Sequence, residues 1–195
     1  MYPAHTPITV SERPVIETLR LRLRPLELSD TSAIQKAADT REIADTMISL
    51  PHPFPIGKAE LYVARQQAEV EAGRSATFTI EQKAEGRFYG LIEVRDIDRE
   101  HSQGELSFWL TVSAWGRGYM SEVVQPVLRY GFEGLGLNRL YAHHMLRNPV
   151  SGHVLEKNGF KQEGLLRQRV RKWGQFEDVA LWAILRQEWQ DALDK

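Results

Sequence analysis

Leucine and arginine alternate strictly between Thr18 and Arg24, with Leu19, Leu21 and Leu23 set against Arg20, Arg22 and Arg24. A period of two predicts a strand that turns the leucines into a core and leaves the arginines as its solvated face. Pro25 ends it, and Ser29 or Asp30 can cap a short helix toward Ala38. Prolines at 51, 53 and 55 forbid regular structure from Leu50 to Gly57, so a stiff loop exposing His52 and Phe54 is expected there. A helix follows from about Lys58 to Ala72 and stops at Gly73. Ser75–Gln82, Phe88–Ile97 and Glu105–Val112 then read as strands joined by polar turns, an antiparallel meander.

Met120, Val123, Val124, Val127, Leu128, Gly131 and Leu135 recur at helical spacing and predict an amphipathic helix. Pro126 inside it removes one backbone bond and should kink the axis. Arg139–Leu146 alternates again, and a strand reached through a helix is expected to lie parallel beside Glu105–Val112. Asn148 caps a further helix that begins at Pro149 and is closed by Gly159. Leu165–Arg171 and Phe176–Leu185 flank Lys172–Gln175 as a hairpin. Met1 to Pro14 has no period and reads as a loose arm. The expected organisation is an arm over residues 1–16 and one mixed α/β domain over 17–190.

Composition narrows the function classes. A chain of 195 residues with 42% apolar and 26% charged residues suits one globular domain. A net charge of −1 gives no field that would gather nucleic acid or an anionic membrane. The absence of cysteine excludes disulfides, thiolate metal sites and a cysteine nucleophile. Met1 to Val10 has neither a basic region nor an apolar core, and no apolar run approaches a membrane span, so a soluble cytoplasmic protein is expected.

The chemistry gathers in Leu110-Thr-Val-Ser-Ala-Trp-Gly-Arg-Gly-Tyr-Met-Ser-Glu122. Strand gives way to helix across Gly116 and Gly118, which can take positive φ and admit another molecule close to their amides. The first turn of the helix adds unpaired N–H groups and partial positive charge, the makings of an anion cradle. The plain alternative is a turn in which glycine only relieves sterics. Ser121 stands where a dinucleotide fingerprint needs its third glycine, and no Gly-Lys-Ser/Thr marks a nucleotide-triphosphate loop. His143 and His144 are adjacent on a strand, face opposite sides and cannot chelate together, so no metal site is expected.

Six stretches follow one another along the chain: Glu17-Thr-Leu-Arg-Leu-Arg-Leu-Arg-Pro25, Pro51–Gly57, Trp109-Leu110 leading into Trp115–Glu122, Asn148-Pro-Val-Ser151, Leu155-Glu-Lys-Asn-Gly-Phe160 and Trp173–Asp178. In this order and spacing the sequence resembles the GNAT superfamily of N-acetyltransferases, and within it the ribosomal-protein N-terminal (alanine) acetyltransferases. The resemblance implies one mostly antiparallel sheet of about six to seven strands with a splayed parallel pair, flanked by about four helices. It also implies acetyl-coenzyme A, its pyrophosphate on the amides of Gly116, Arg117, Gly118, Tyr119, Met120 and Ser121. The pantetheine arm would lie between the splayed strands against the backbone of Leu110, Thr111 and Val112, one of whose N–H groups would polarise the thioester carbonyl. Lys157 joins the implied cofactor contacts. Arg117 would reach the 3′-phosphate or simply face solvent in the turn, and Asn148 would touch pantetheine or only cap its helix.

This chain departs from the family at two places. Ser113 replaces the usual Gln or Arg before the first glycine, and Leu155 stands where many relatives carry an acidic tyrosine. Ser151 is the substitute general acid, with helix capping as its other role. The implied reaction is direct attack of a primary amine, since no covalent nucleophile is evident. Neutralising a lysine ammonium at pH 7 costs roughly 4.6 kcal/mol and an α-amine about 1.1, so an N-terminal acetyltransferase manages with a weak base. Glu93 is the preferred base, and Glu105, farther from Val112, the structural alternative. Phe54, Trp109 and Trp173 are expected at the acceptor site. The acceptor is a protein or peptide N-terminus or a small amine; a coenzyme A-binding module without turnover is the third reading. Monomer and homodimer are both open.

Overall fold

The computed structural model describes residues 14–194. Eight strands lie among these residues: β1 Ile16–Glu17, β2 Leu21–Pro25, β3 Ala76–Gln82, β4 Phe88–Asp98, β5 Gln103–Leu110, β6 Arg139–Met145, β7 Lys161–Lys172 and β8 Gln175–Leu185. They form one sheet in the order β1-β2-β3-β4-β5-β6-β8-β7. Every neighbouring pair is antiparallel except β5 and β6. Among the described residues six α-helices flank it: α1 Thr31–Ala38, α2 Arg41–Thr46, α3 Lys58–Glu71, α4 Tyr119–Arg129, α5 Pro149–Lys157 and α6 Arg186–Leu193. Both counts exceed the expected six to seven strands and four helices. Among the described residues no helix is long and apolar enough to cross a membrane.

Alternation along the strands builds two cores. Ile92 and Val94 of β4 pack with Leu106 and Leu110 of β5 against Val123, Val127 and Leu128 of α4. Leu91, one residue out of phase, turns to the other face and meets Ile34 of α1 and Ala59 and Val63 of α3. Trp189 of α6 closes the first core against Phe132, with ring centroids 5.4 Å apart. α4 continues through Pro126 and widens into a π turn over Tyr130–Gly134, where Leu135 N–H reaches the Tyr130 carbonyl at 2.9 Å.

The first strand departs from its alternating pattern. Thr18 donates to the Leu21 carbonyl and closes a turn between β1 and β2, which leaves Leu19 87% exposed. The arginines are not a uniform solvated face either, for Arg24 is held by Asp30 and Glu81 at 2.6 Å each. The expected arm falls almost wholly on residues 1–13, outside the described ones, and Ile16 already belongs to β1. Phe54 is buried, contrary to its expected exposure, because its N–H bonds Asp39 Oδ1 at 2.7 Å and its ring joins the α1–α3 core.

Candidate active site

β5 and β6 pair only through Gln103–Arg139, Gly104–Leu140 and Glu105–Tyr141 and then part, while β6 stays paired to β8 along its whole length. The split frees main-chain groups. Thr111 N–H donates to the Tyr89 carbonyl at 2.7 Å, so Leu110 and Gly90 form a non-hydrogen-bonded pair of the β4–β5 ladder. Leu110 N–H, and the amide and carbonyl of Phe108 two residues back, therefore point away from β4 into the gap. The Leu110 carbonyl is taken by the Trp115 indole N–H at 2.9 Å. This corrects the expected free edge from Leu110 to Val112. β5 stops at Leu110, Val112 begins a short 3-10 turn whose carbonyl accepts Trp115 N–H, and the Thr111 N–H is committed to β4.

Beyond that turn Gly116 and Gly118 both take left-handed φ, 70° and 72°. Among the described residues the N–H groups from Gly116 to Ser121 have no acceptor, and the first helical bond runs from Glu122 N–H to the Gly118 carbonyl at 3.1 Å. Arg20 braces this loop. Its Nη1 donates to the Arg117 carbonyl at 3.0 Å, its Nε bonds Glu122 Oε2 at 2.7 Å, and its guanidinium lies 4.4 Å from the Tyr119 ring centre. The Tyr119 and Met120 side chains are buried, so these residues can offer a ligand only their amides. Arg117 and Lys157 are exposed and line none of the cavities described below.

A cavity of about 440 Å³ opens below the cradle between Phe108, Trp109 and Leu110 on one wall and Val150, Ser151 and Val154 on the other. Unpaired amides at the mouth suit a diphosphate, and the apolar slot suits a slender acyl-thiol arm. Pro149 opens α5 with Asn148 at its N-cap position, yet the Asn148 side chain makes no cap bond. Its Nδ2 donates to the Thr46 carbonyl at 3.3 Å and to Ser151 Oγ at 2.9 Å. Ser151 Oγ thus accepts one bond and keeps its own proton to give. The hydroxyl lines both the 440 Å³ cavity and a narrow one of about 50 Å³. Leu155 is buried and lines that narrow cavity, with no proton to offer.

A third cavity, about 410 Å³, lies on the α1–α3 face and shares Met47, Ser49, Arg95 and Ser107 with the narrow one. Pro51, Phe54, Trp109 and Glu93 line it. Burial pushes the Glu93 carboxyl up, against the charge of Arg95 and a 3.4 Å bond from the Tyr62 hydroxyl. Glu105 lines the narrow cavity with Ser151; burial works to raise it, but bonds from His143 and Arg95 outweigh burial and hold it below the ordinary carboxylate range. Trp173 lines none of these three cavities: its indole N–H donates to Asp45 Oδ1 at 2.6 Å, on α2. Beside it the Lys172 ammonium is buried and donates to the Met47 and Leu50 carbonyls at 2.8 and 2.5 Å. The hairpin therefore grips the segment that walls the cavities instead of forming the wall.

A family model described as an acetyltransferase (GNAT) domain matches residues 20–161. The chain belongs to this family. It is 30% identical over 172 residues to an uncharacterized N-acetyltransferase p20 of Bacillus licheniformis, covering 88% of this chain and 96% of that one. A spermidine N(1)-acetyltransferase of Vibrio cholerae is 26% identical over 170 residues, covering 87% of this chain and 95% of that protein. In structure it resembles RimL, a ribosomal L7/L12 alpha-N-protein acetyltransferase bound to coenzyme A, at a TM-score of 0.81 and 19% identity over 88% of this chain and 98% of that one. As a GNAT enzyme the chain is an N-acetyltransferase, and its acyl donor is acetyl-CoA. The splayed strands and the unpaired amides are the parts of this structure that fit that donor.

Proposed function

We propose that the acceptor is the α-amine of a protein or peptide N-terminus, as in the ribosomal-protein branch, and not a polyamine. The charge lining the 410 Å³ cavity carries this reading. Lys58, Arg65, Arg74 and Arg95 outnumber Glu69, Glu93 and Asp96 there. Each of those carboxylates already has an arginine, Glu69 with Arg74 at 2.7 Å and Glu93 and Asp96 with Arg95 at 3.6 and 3.9 Å. A polyamine needs spare carboxylates for its further ammonium groups, and this wall would repel them. A peptide presents a single ammonium followed by backbone, which a cavity of this size accommodates. A small amine of the spermidine type is the second reading, favoured by the Vibrio relative.

Acetyl-CoA supplies an acetyl group already activated as a thioester. The amides of 116–121 hold it by its phosphates, the Leu110 N–H offers a hydrogen bond inside the gap, and Met47, common to all three cavities, marks where the acceptor side and the donor side meet. Ser151 lies at the same junction and can give its proton to the departing sulfur.

Thiol release should be measured on tetrapeptides with different first residues and on spermidine. The best peptide should exceed spermidine in kcat/KM by at least about tenfold; the reverse ranking rejects the peptide reading. Ser151→Ala should lower kcat by about tenfold or more while the Kd for CoA, read by calorimetry, barely moves. Undiminished turnover in that variant would remove Ser151 as the acid.

A further inference from the structure

Three strands carry one polar row across the sheet face that borders the narrow cavity. Arg95 of β4 stands opposite Glu105 of β5 in the ladder, and Tyr141 of β6 stands opposite Glu105 on the other side. His143, two residues beyond Tyr141 and so on the same face, reaches back to Glu105 with its Nδ1 3.1 Å from Oε1. Arg95 holds the same carboxylate through Nη2 at 3.1 Å and Nε at 3.2 Å. Tyr141 sets its ring edge-on to the imidazole at 5.6 Å, and Leu181 is the register partner on β8. The charged groups around the imidazole are therefore Glu105 and, behind it, Arg95, which Glu93 and Asp96 also contact at 3.6 and 3.9 Å. Thr46, Ser49 and Ser151, which line the narrow cavity with it, carry no charge.

We propose that His143 is the general base of the acetyl transfer and that Glu105 is its positioning residue. A carboxylate bonded to Nδ1 keeps the proton on that nitrogen and leaves the Nε2 lone pair to accept another. Among the described residues Nε2 has no partner, whereas His144 spends both ring nitrogens, Nδ1 on the Met145 carbonyl at 2.9 Å and Nε2 on the Trp182 indole at 3.0 Å. His143 lines the narrow cavity at the point where the strands part, together with Ser151, and Ser49 and Ser107 line both that cavity and the one on the acceptor side. Glu93 lines the acceptor cavity but not this one.

The protons balance as follows. The acceptor ammonium gives one proton to His143 Nε2, and the freed nitrogen forms its bond to the acetyl carbon as the carbon–sulfur bond breaks. The sulfur takes the Ser151 proton, the nitrogen's surplus proton restores Ser151, and His143 returns its own to solvent. The net release is one proton per acetylation of a charged amine.

This assignment rests on acetyl transfer and not on which amine is accepted. His143→Gln should lower kcat/KM on the best panel acceptor by about 100-fold and abolish the acid limb of its pH profile, with CoA affinity unchanged. Glu105→Gln removes the acceptor of the Nδ1 proton, so kcat on the best acceptor should fall while KM holds; a limb belonging to the acceptor's own amine would persist in His143→Gln. Nitrogen-15 NMR of the histidine rings in the CoA-bound protein should show His143 as the Nδ1–H tautomer, and Glu105→Gln should lose that preference. A His143→Gln variant within threefold of wild type, or an Nε2–H tautomer, overturns the proposal. If wild-type protein turns over no acceptor in the panel, the acceptor reading fails, and the tautomer alone still decides for or against the dyad.

Discussion

Gly90→Ala should cost at least about 3 kcal/mol in unfolding free energy and weaken CoA binding in whatever folded protein remains. A β-carbon on Gly90 would sit 2.1 Å from the Trp109 carbonyl oxygen and 2.9 Å from the Leu110 Cα, both main-chain atoms that cannot swing aside. Its φ of 150° adds strain for any side chain. Gly90 and Leu110 are direct partners in the β4–β5 ladder and form its closer, non-hydrogen-bonded kind of pair. Relief can come only by pushing Trp109 and Leu110 outward, and those residues wall the donor slot and carry its free N–H. Urea denaturation and calorimetry with CoA measure the two effects separately. Wild-type stability in this variant would contradict the close approach.

Asp30→Ala should destabilise the fold by about 3–5 kcal/mol, the usual result of removing one partner from a buried ion pair. The carboxylate is 4% exposed and accepts Arg24 Nη1 and Nη2 at 2.8 and 2.6 Å, Thr79 Oγ1 at 2.9 Å and the Glu27 N–H at 2.9 Å. Burial works to raise its pKa, but the bonds from Arg24, Glu27 and Thr79 prevail and hold it below the ordinary carboxylate value. Its contribution is therefore complete above about pH 4 and is lost as pH falls through the lower, folded-state value. Stability measured against pH should show the gap between wild type and variant closing in acid. A gap constant from neutral to strongly acidic pH would show that the charge of Asp30 is not what matters.

Much of this was legible in the chain because local pattern and tertiary environment agree. The meander, the glycine turn and the Pro149 helix start are set by residues acting within a few positions of one another. The misses have physical causes. α2 is six residues long and mostly polar, too short for a period to declare itself. α6 continues from Leu185 to Arg186 with no turn residue between strand and helix, so nothing marks the change. β7 slips register twice, near Gln162 and again between Leu166 and Val170, which erases alternation over much of its length. Asp30 precedes α1 as expected but spends its carboxylate on Arg24 and Thr79 instead of capping that helix. At the site, the anion cradle could be read from two glycines and a helix start. The Arg95–Glu105–His143 row could not, for each member reads alone as the polar face of a strand, and only the parallel crossover brings the three together.

The unpaired amides of residues 116–121 belong to the main chain, whereas the 410 Å³ cavity is walled by side chains of α3 and of the stretch from Met47 to Phe54. Replacing a side chain leaves a peptide amide in place. On the proposed reading, substitutions at that wall change which amine fits while the main-chain grip on the acetyl source stays constant.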